Sequence, residues 1–304
     1  QQTNADPTTR REAAAGLLEF DRNQPAVMLV LAEAQIELGE YADARQLLDQ
    51  MREAGSADVT RAVALIADSC LREASDIVAR AEPDDAELIE RRVEELIAEA
   101  EGQQKVLEST DGAQVPALVV RVRAADVRSA LSQLWERRLE RVIIGQTLAG
   151  QAEEARVTAV SLAEAQSQTA VHDATLTQTA AQVIERDPQN QVVRYALRQS
   201  QLRSGRFKQA RQVAREMADL PTLDARLVGR IANQLLDLEM RFGEAVTLED
   251  RRIARALLSH DGLDTPDDPG IRLAKLFIWH YEGDPAETER RARELLQPPS
   301  YARQ

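Results

Sequence analysis

A single cysteine, Cys70, in 304 residues excludes an intrachain disulfide and any zinc site built from several thiolates. Glycine (13) and proline (11) are sparse, and aromatic residues make up 3%. All-β folds draw on turn formers and on aromatic or β-branched strands, so this shortage disfavours them. No run approaches the roughly 18 apolar residues that a membrane span requires; the longest, Val115 to Val120 around Pro116, is far too short. Positive charge is in deficit, since 38 Lys and Arg against 51 Asp and Glu give a net −13. With a pI near 4.9, the balance argues against a general binder of nucleic acid or anionic membrane, because phosphate contacts need a positive surface. No secretory leader is recognisable and residue 1 is Gln. The chain is therefore expected to be a processed product or a piece of something longer. Only three lysines occur, Lys105, Lys208 and Lys275. This Arg- and Ala-rich usage reads as a GC-rich bacterial genome, with the compartment, cytoplasm or periplasm, left open.

Helical periodicity fills the space that these absences leave. Apolar residues make up 43% of the chain, enough for one elongated domain or two compact ones. Met28, Leu31, Ala32, Gln35 and Leu38 mostly fall three or four apart, the stripe of an amphipathic helix. The same spacing recurs around Leu47, Leu48 and Met51, and through Leu176, Ala180, Val183 and Ile184. Breaks follow at Gly39, Pro83, Gly112 to Pro116, Gly150, Pro188, Gly205, Pro221, Gly243, Pro266 to Gly270 and Gly283. Between them lie segments of roughly 12 to 25 residues, which predicts about fifteen helices and no strand. Leu118 to Val122 is β-like alone but sits inside a longer helical pattern.

Two segments repeat one another. Superposing Gly39 on Gly205 pairs Leu31 with Leu197, Tyr41 with Phe207, Ala44 with Ala210 and Met51 with Met217. Each match has a mechanical reason: glycine for a tight turn between antiparallel helices, an aromatic packed into the hairpin, alanine for close helix approach. Leu31, Ala32, Leu38, Gly39, Tyr41, Ala44 and Leu48 together resemble the tetratricopeptide repeat, a helix-turn-helix unit of about 34 residues. The second copy departs from it at Arg198, where a small residue is usual, and at Ser204, where leucine is. A weaker copy closes the chain in Leu273, Ala274, Gly283, Ala292 and Leu295, with Asp284-Pro285 starting its second helix. The resemblance implies an all-α fold, a right-handed α-solenoid of stacked antiparallel helix hairpins with degenerate repeats elsewhere. The expected organisation is one continuous solenoid: repeats over 1–110 containing a long acidic helix at 82–108, then repeats over 111–304. That helix carries ten acids against Arg91, Arg92 and Lys105, and Ile89, Val93, Leu96, Ala100, Gln103 and Leu107 give it a 4-3-4-3-4 apolar seam.

Catalytic constellations are missing. His172, His260 and His280 are far apart and form no His-Glu-x-x-His pair. His172-Asp173 and His260-Asp261 read as helix boundaries with Asp as a cap. There is no Gly-x-Ser-x-Gly elbow and no phosphate-cradling loop. Cys70 reads as a buried, inert thiol. No enzymatic activity, metal or cofactor is expected. The resemblance instead implies a protein-interaction scaffold that takes a partner protein or peptide on its concave face, lined by the first helix of each hairpin. Carrying over the groove positions gives Ala26, Leu29, Glu33, Ile36 and Glu37 in the first repeat, and Val192, Tyr195, Gln199, Leu202 and Arg203 in the second. Lysines and asparagines that clamp a terminal carboxylate in chaperone-binding members are absent there. Arg194 to Arg215 holds seven basic residues and no acid, which reads either as a contact for acidic peptide or phosphate backbone or as a counterweight to acids elsewhere. The alternatives are a sensor or assembly segment of a larger bacterial protein, perhaps secretion-associated, and a helical-repeat nucleic-acid binder.

Overall fold

Folding one helix back against the next requires a residue that tolerates the left-handed region, and Gly39 (φ +81°) and Gly205 (φ +68°) supply it. In each turn the glycine N–H bonds back three residues, to Ile36 O at 3.2 Å and to Leu202 O at 3.1 Å. The following N–H bonds back five, to Gln35 O and Gln201 O, both at 2.8 Å. The computed structural model describes residues 7–20, 24–55, 58–260, 269–283, 286, 289–290 and 292–293. Among the described residues every regular element is helical, as expected. The chain divides into two compact units, Gln1–Pro188 and Gln189–Gln304.

The first unit holds α1 (Pro7–Phe20), α2 (Pro25–Leu38), α3 (Tyr41–Glu53), α4 (Val59–Arg80), a 3₁₀ turn (Pro83–Asp85), α5 (Ala86–Glu108), α6 (Gln114–Leu148) and α7 (Ala152–Arg186). Each helix packs on the next, and α4 also meets α6. Pro25 and Pro83 open their elements, where no intrahelical donor is lost. Helix α2 is apolar around most of its circumference and is buried on several sides, through Met28, Leu29, Ala32, Ala34 and Ile36. Helix α3 is amphipathic instead and buries only Ala44, Leu48 and Met51. One core runs through the unit, from Leu29 and Leu48 by way of Ile66, Leu71 and Leu96 to Leu107 and Leu131. Each such side chain contributes about 1.5–3 kcal/mol by leaving water. The acidic stretch at 82–108 is a 3₁₀ turn followed by α5, and its seam residues Val93, Leu96, Ala100 and Leu107 are buried between α4 and α6. The turn after α5, around Asp111–Ala113, lies inside this unit.

Helices α6 and α7 have 35 residues each, beyond the expected 12 to 25. Pro116 does not interrupt α6 because it is the third residue, where its missing N–H had no partner to lose. On α7 the residues turned towards α6 are Ala155, Thr158, Leu162, Ala165, Thr169, His172 and Leu176, an alternating 3-4 spacing along one seam.

The second unit holds α8 (Gln191–Arg203), α9 (Phe207–Ala218), α10 (Ala225–Leu236), α11 (Leu238–Phe242), α12 (Leu248–Leu258) and α13 (Pro269–Glu282). Side-chain caps start three of them. Asn190 Oδ1 accepts from Val193 N at 3.0 Å, Asp224 Oδ1 accepts from Arg226 N at 2.8 Å, and Thr247 and Asp250 form a reciprocal box. The core gathers Val213, Met217, Ile231, Leu235, Ile253, Leu257 and Ile271.

The repeat period is plain in both units. Val59 begins α4 34 residues after Pro25 begins α2, and Ala225 begins α10 34 residues after Gln191 begins α8. Ala44, Ala210, Met51 and Met217 are all buried, while Tyr41 and Phe207 open α3 and α9. In the closing copy Ala274 is buried and Gly283 follows α13; Asp284, Pro285 and Leu295 lie outside the described residues.

Candidate functional site

The acids of 82–108 face a row of arginines on α6. Arg121 meets Glu108 at 2.8 Å, Arg128 meets Glu94 at 3.3 Å and Glu101 at 2.5 Å, and Arg138 meets Glu87 at 2.9 Å. Arg141 lies 3.9 Å from both Glu82 and Asp84. The acidic surplus read from the sequence is thus answered by the next helix. Such exposed pairs contribute about 0–1 kcal/mol each, so they set pairing more than stability.

A cleft of about 560 Å³ opens where the α2–α3 turn meets α4 and α5, lined by Gly39, Tyr41, Arg45, Glu73, Asp76 and Arg92 among others. Tyr41 Oη donates to Asp76 Oδ2 at 2.7 Å. Burial, reinforced by that carboxylate, pushes the Tyr41 hydroxyl up to about 12. Glu73 receives Arg45 on one oxygen and Arg92 on the other, both at 2.7 Å. Burial pushes the Glu73 carboxyl up, but the hydrogen bonds from Arg92 and Arg45 outweigh it and hold it below its ordinary value. Behind the cleft, Cys70 is fully buried, 4.0 Å from Arg45 Nη1. Burial, with Glu99 adding to it, pushes the thiol up to about 12, far from a reactive thiolate. The cleft therefore offers paired polar groups to a ligand and no activated nucleophile. Sequence reasoning did not single out these residues. The available signal was spacing: Tyr41 and Asp76 are 35 residues apart, and Arg128 and Glu94 are 34 apart, close to one repeat.

The groove positions carried over from the repeat fall into both units. In the first, Leu29 and Ile36 are 2% and 3% exposed and belong to the core, while Ala26 is exposed. Glu33 and Glu37 are half-buried and pair with Arg61 and Arg10. The positions 34 residues further on, Val63, Ala67, Cys70 and Leu71, are also buried. In the second unit Leu202 is 2% exposed, Tyr195, Gln199 and Arg203 are half-buried, and Val192 is exposed. Gln199 and Gln234 exchange hydrogen bonds at 2.8 and 3.2 Å.

The basic stretch at 194–215 serves largely as a counterweight. Arg194 pairs with Glu216 at 2.8 Å, Arg211 holds Asp250 at 2.8 Å and Glu244 at 3.1 Å, and Arg215 pairs with Glu249. Asp250 is fully buried, so its charge is met there by a two-pronged guanidinium and by Thr247. Arg198, the departure from the small residue expected at its position, is fully buried and donates to Gln234 Oε1, 36 residues on. Burial pushes its guanidinium down to about 10, and its Nε and Nη2 have no hydrogen-bond acceptor.

The histidines stay apart. His172 and Asp173 lie in the middle of α7, not at a helix boundary as expected. Asp173 is buried and accepts from Ser129 Oγ at 2.9 Å, so it ties α7 to α6 and does not cap. His260 Nε2 bonds Leu220 O at 2.7 Å, and Asp261 lies outside the described residues. Among the described residues no group of three His, Cys, Asp or Glu could hold a metal, and no helix is long and apolar enough to cross a membrane.

Residues 11–68 match the family model of the tetratricopeptide repeat. The match covers α2 and α3, most of α1 and the first half of α4. This stretch is a tetratricopeptide repeat, a module generally used for protein interaction and typically without catalysis. No curated protein matches the chain.

Proposed function

We propose that this chain, built on tetratricopeptide hairpins, is a non-catalytic scaffold that holds a partner protein or peptide along the first helices of its repeats. The carrying observation is the repeat itself, matched over 11–68 and echoed by the 34-residue offset between α8 and α10. In this reading the repeats stack as one right-handed solenoid and the partner reads the concave side. Burial divides the groove positions into two roles. Leu29, Ile36 and Leu202 hold the helices in place, and Glu33, Glu37, Tyr195, Gln199 and Arg203 keep the surface that a partner can touch. Two carboxylates on α2 and a guanidinium on α8 select a partner segment of mixed charge, not a terminal carboxylate alone.

The test begins with affinity capture by the intact chain and identification of the bound protein. Binding is then measured with both purified components, comparing wild type with Glu33→Arg and Arg203→Glu. The proposal expects each reversal to weaken binding by about tenfold or more, with helicity unchanged. Undiminished binding by both variants would overturn the assignment of these faces.

A further inference from the structure

The outer half of the α6–α7 hairpin carries a surface that the repeat reading does not use. Beyond Arg141, which reaches back to Glu82 and Asp84, α6 is flanked only by α7 within its unit. Val142, Ile144 and Leu148 on α6 and Val157, Val160 and Val171 on α7 are exposed, Leu148 to 85% and Val157 to 64%. They do not belong to the seam between the two helices. On α7 the seam runs through Ala155, Thr158, Leu162 and Ala165, whereas Val157, Val160, Glu164, Ser167, Val171 and Ala174 form a second 3-4 stripe on the opposite side, exposed throughout.

Charge marks the same region. The chain carries −13, yet the outer hairpin is balanced and polarised. Residues 137–148 hold Arg137, Arg138 and Arg141 against Glu140, and residues 152–164 hold Glu153, Glu154 and Glu164 against Arg156. One helix is basic at its tip and the other acidic by the same amount. Two acidic chains that repel elsewhere meet here without net repulsion, basic helix on acidic helix.

We propose that the outer α6–α7 hairpin is a self-association surface on which a second copy lays its own hairpin, α6 along α7 and α7 along α6. The pairing is isologous, so both charge-matched contacts form at once and close a four-helix bundle. About 25 Å of hairpin, two helices each about 10 Å wide, covers roughly 500 Å² per copy. The total of about 1,000 Å² lies at the lower bound of specific interfaces, which makes the dimer concentration-dependent.

Sedimentation velocity on the full chain across the micromolar range reads this directly. The expected result is a shift from 33.7 kDa towards twice that mass as concentration rises. Val157→Asp with Val160→Asp should weaken dimerisation about tenfold or more without changing the melting curve, because both side chains are exposed. Arg137→Glu with Arg141→Glu makes both helices acidic, and Glu153→Arg with Glu154→Arg makes both basic. Each charge variant should sediment as a monomer alone, and an equimolar mixture should recover the dimer. A wild-type monomer at every concentration overturns the proposal, including the case where other residues of the same chain cover the stripe. A dimer indifferent to the valine and charge variants overturns it equally.

Discussion

Replacing Ala44 by leucine should wedge the first hairpin apart. Ala44 is fully buried on α3, on the face that also buries Leu48 and Met51. Its methyl is what allows the neighbouring helices to approach, and leucine adds three carbons where the core has no space for them. Overpacking of this kind costs about 1–3 kcal/mol. For a cooperative unit of about 190 residues, each kcal/mol lowers the melting temperature by about 2–4 °C, so the expected loss is about 2–12 °C. Ala210→Leu is the counterpart in the second unit, where Ala210 is 1% exposed. Circular dichroism melts of both variants, with the exposed Ala170→Leu as control, measure the effect. The two units have separate cores, so each variant should lower the transition of its own unit. Unchanged melts for Ala44→Leu and Ala210→Leu would show that these alanines do not sit between helices, and the register argued from Gly39 and Gly205 would fail.

Glu73 gives a pH signature. Its carboxyl is held below the ordinary 4.5 by Arg92 and Arg45 despite burial, so its stabilisation is fully present above pH 4.5 and is lost as pH falls through the lowered value. Glu73→Gln should therefore cost about 1 kcal/mol at neutral pH and almost nothing near pH 3; denaturant titrations at the two pH values check this, and a pH-independent difference would contradict it. Cys70, fully buried with its thiol pushed up to about 12, should resist thiol reagents at mildly alkaline pH until the chain unfolds. Rapid stoichiometric labelling of the native chain would refute its burial.

The hairpins were legible because their signals are local. A glycine at the turn, an aromatic two residues on and an alanine in the next helix appear together at Gly39, Tyr41 and Ala44 and again at Gly205, Phe207 and Ala210. The lengths of α6 and α7 were not legible, since Pro116 reads as a break unless its place in the first turn is known. Which groove positions stay open was equally hidden. Leu29 and Ile36 sit on a helix that is apolar on nearly every side, and periodicity does not say which neighbour covers which face. Long-range polar pairs such as Arg211 with Asp250 depend on how helices are placed, which no local pattern encodes.

The hydrogen bond between Tyr41 and Asp76 tests the stacking of successive repeats most directly, because it joins residues 35 apart at 2.7 Å. A double-mutant cycle with Tyr41→Phe and Asp76→Asn, read by chemical denaturation, measures their coupling. The stacked hairpins predict a coupling energy of about 1 kcal/mol or more, as for a hydrogen bond to a charged acceptor. Strict additivity of the two substitutions would contradict it.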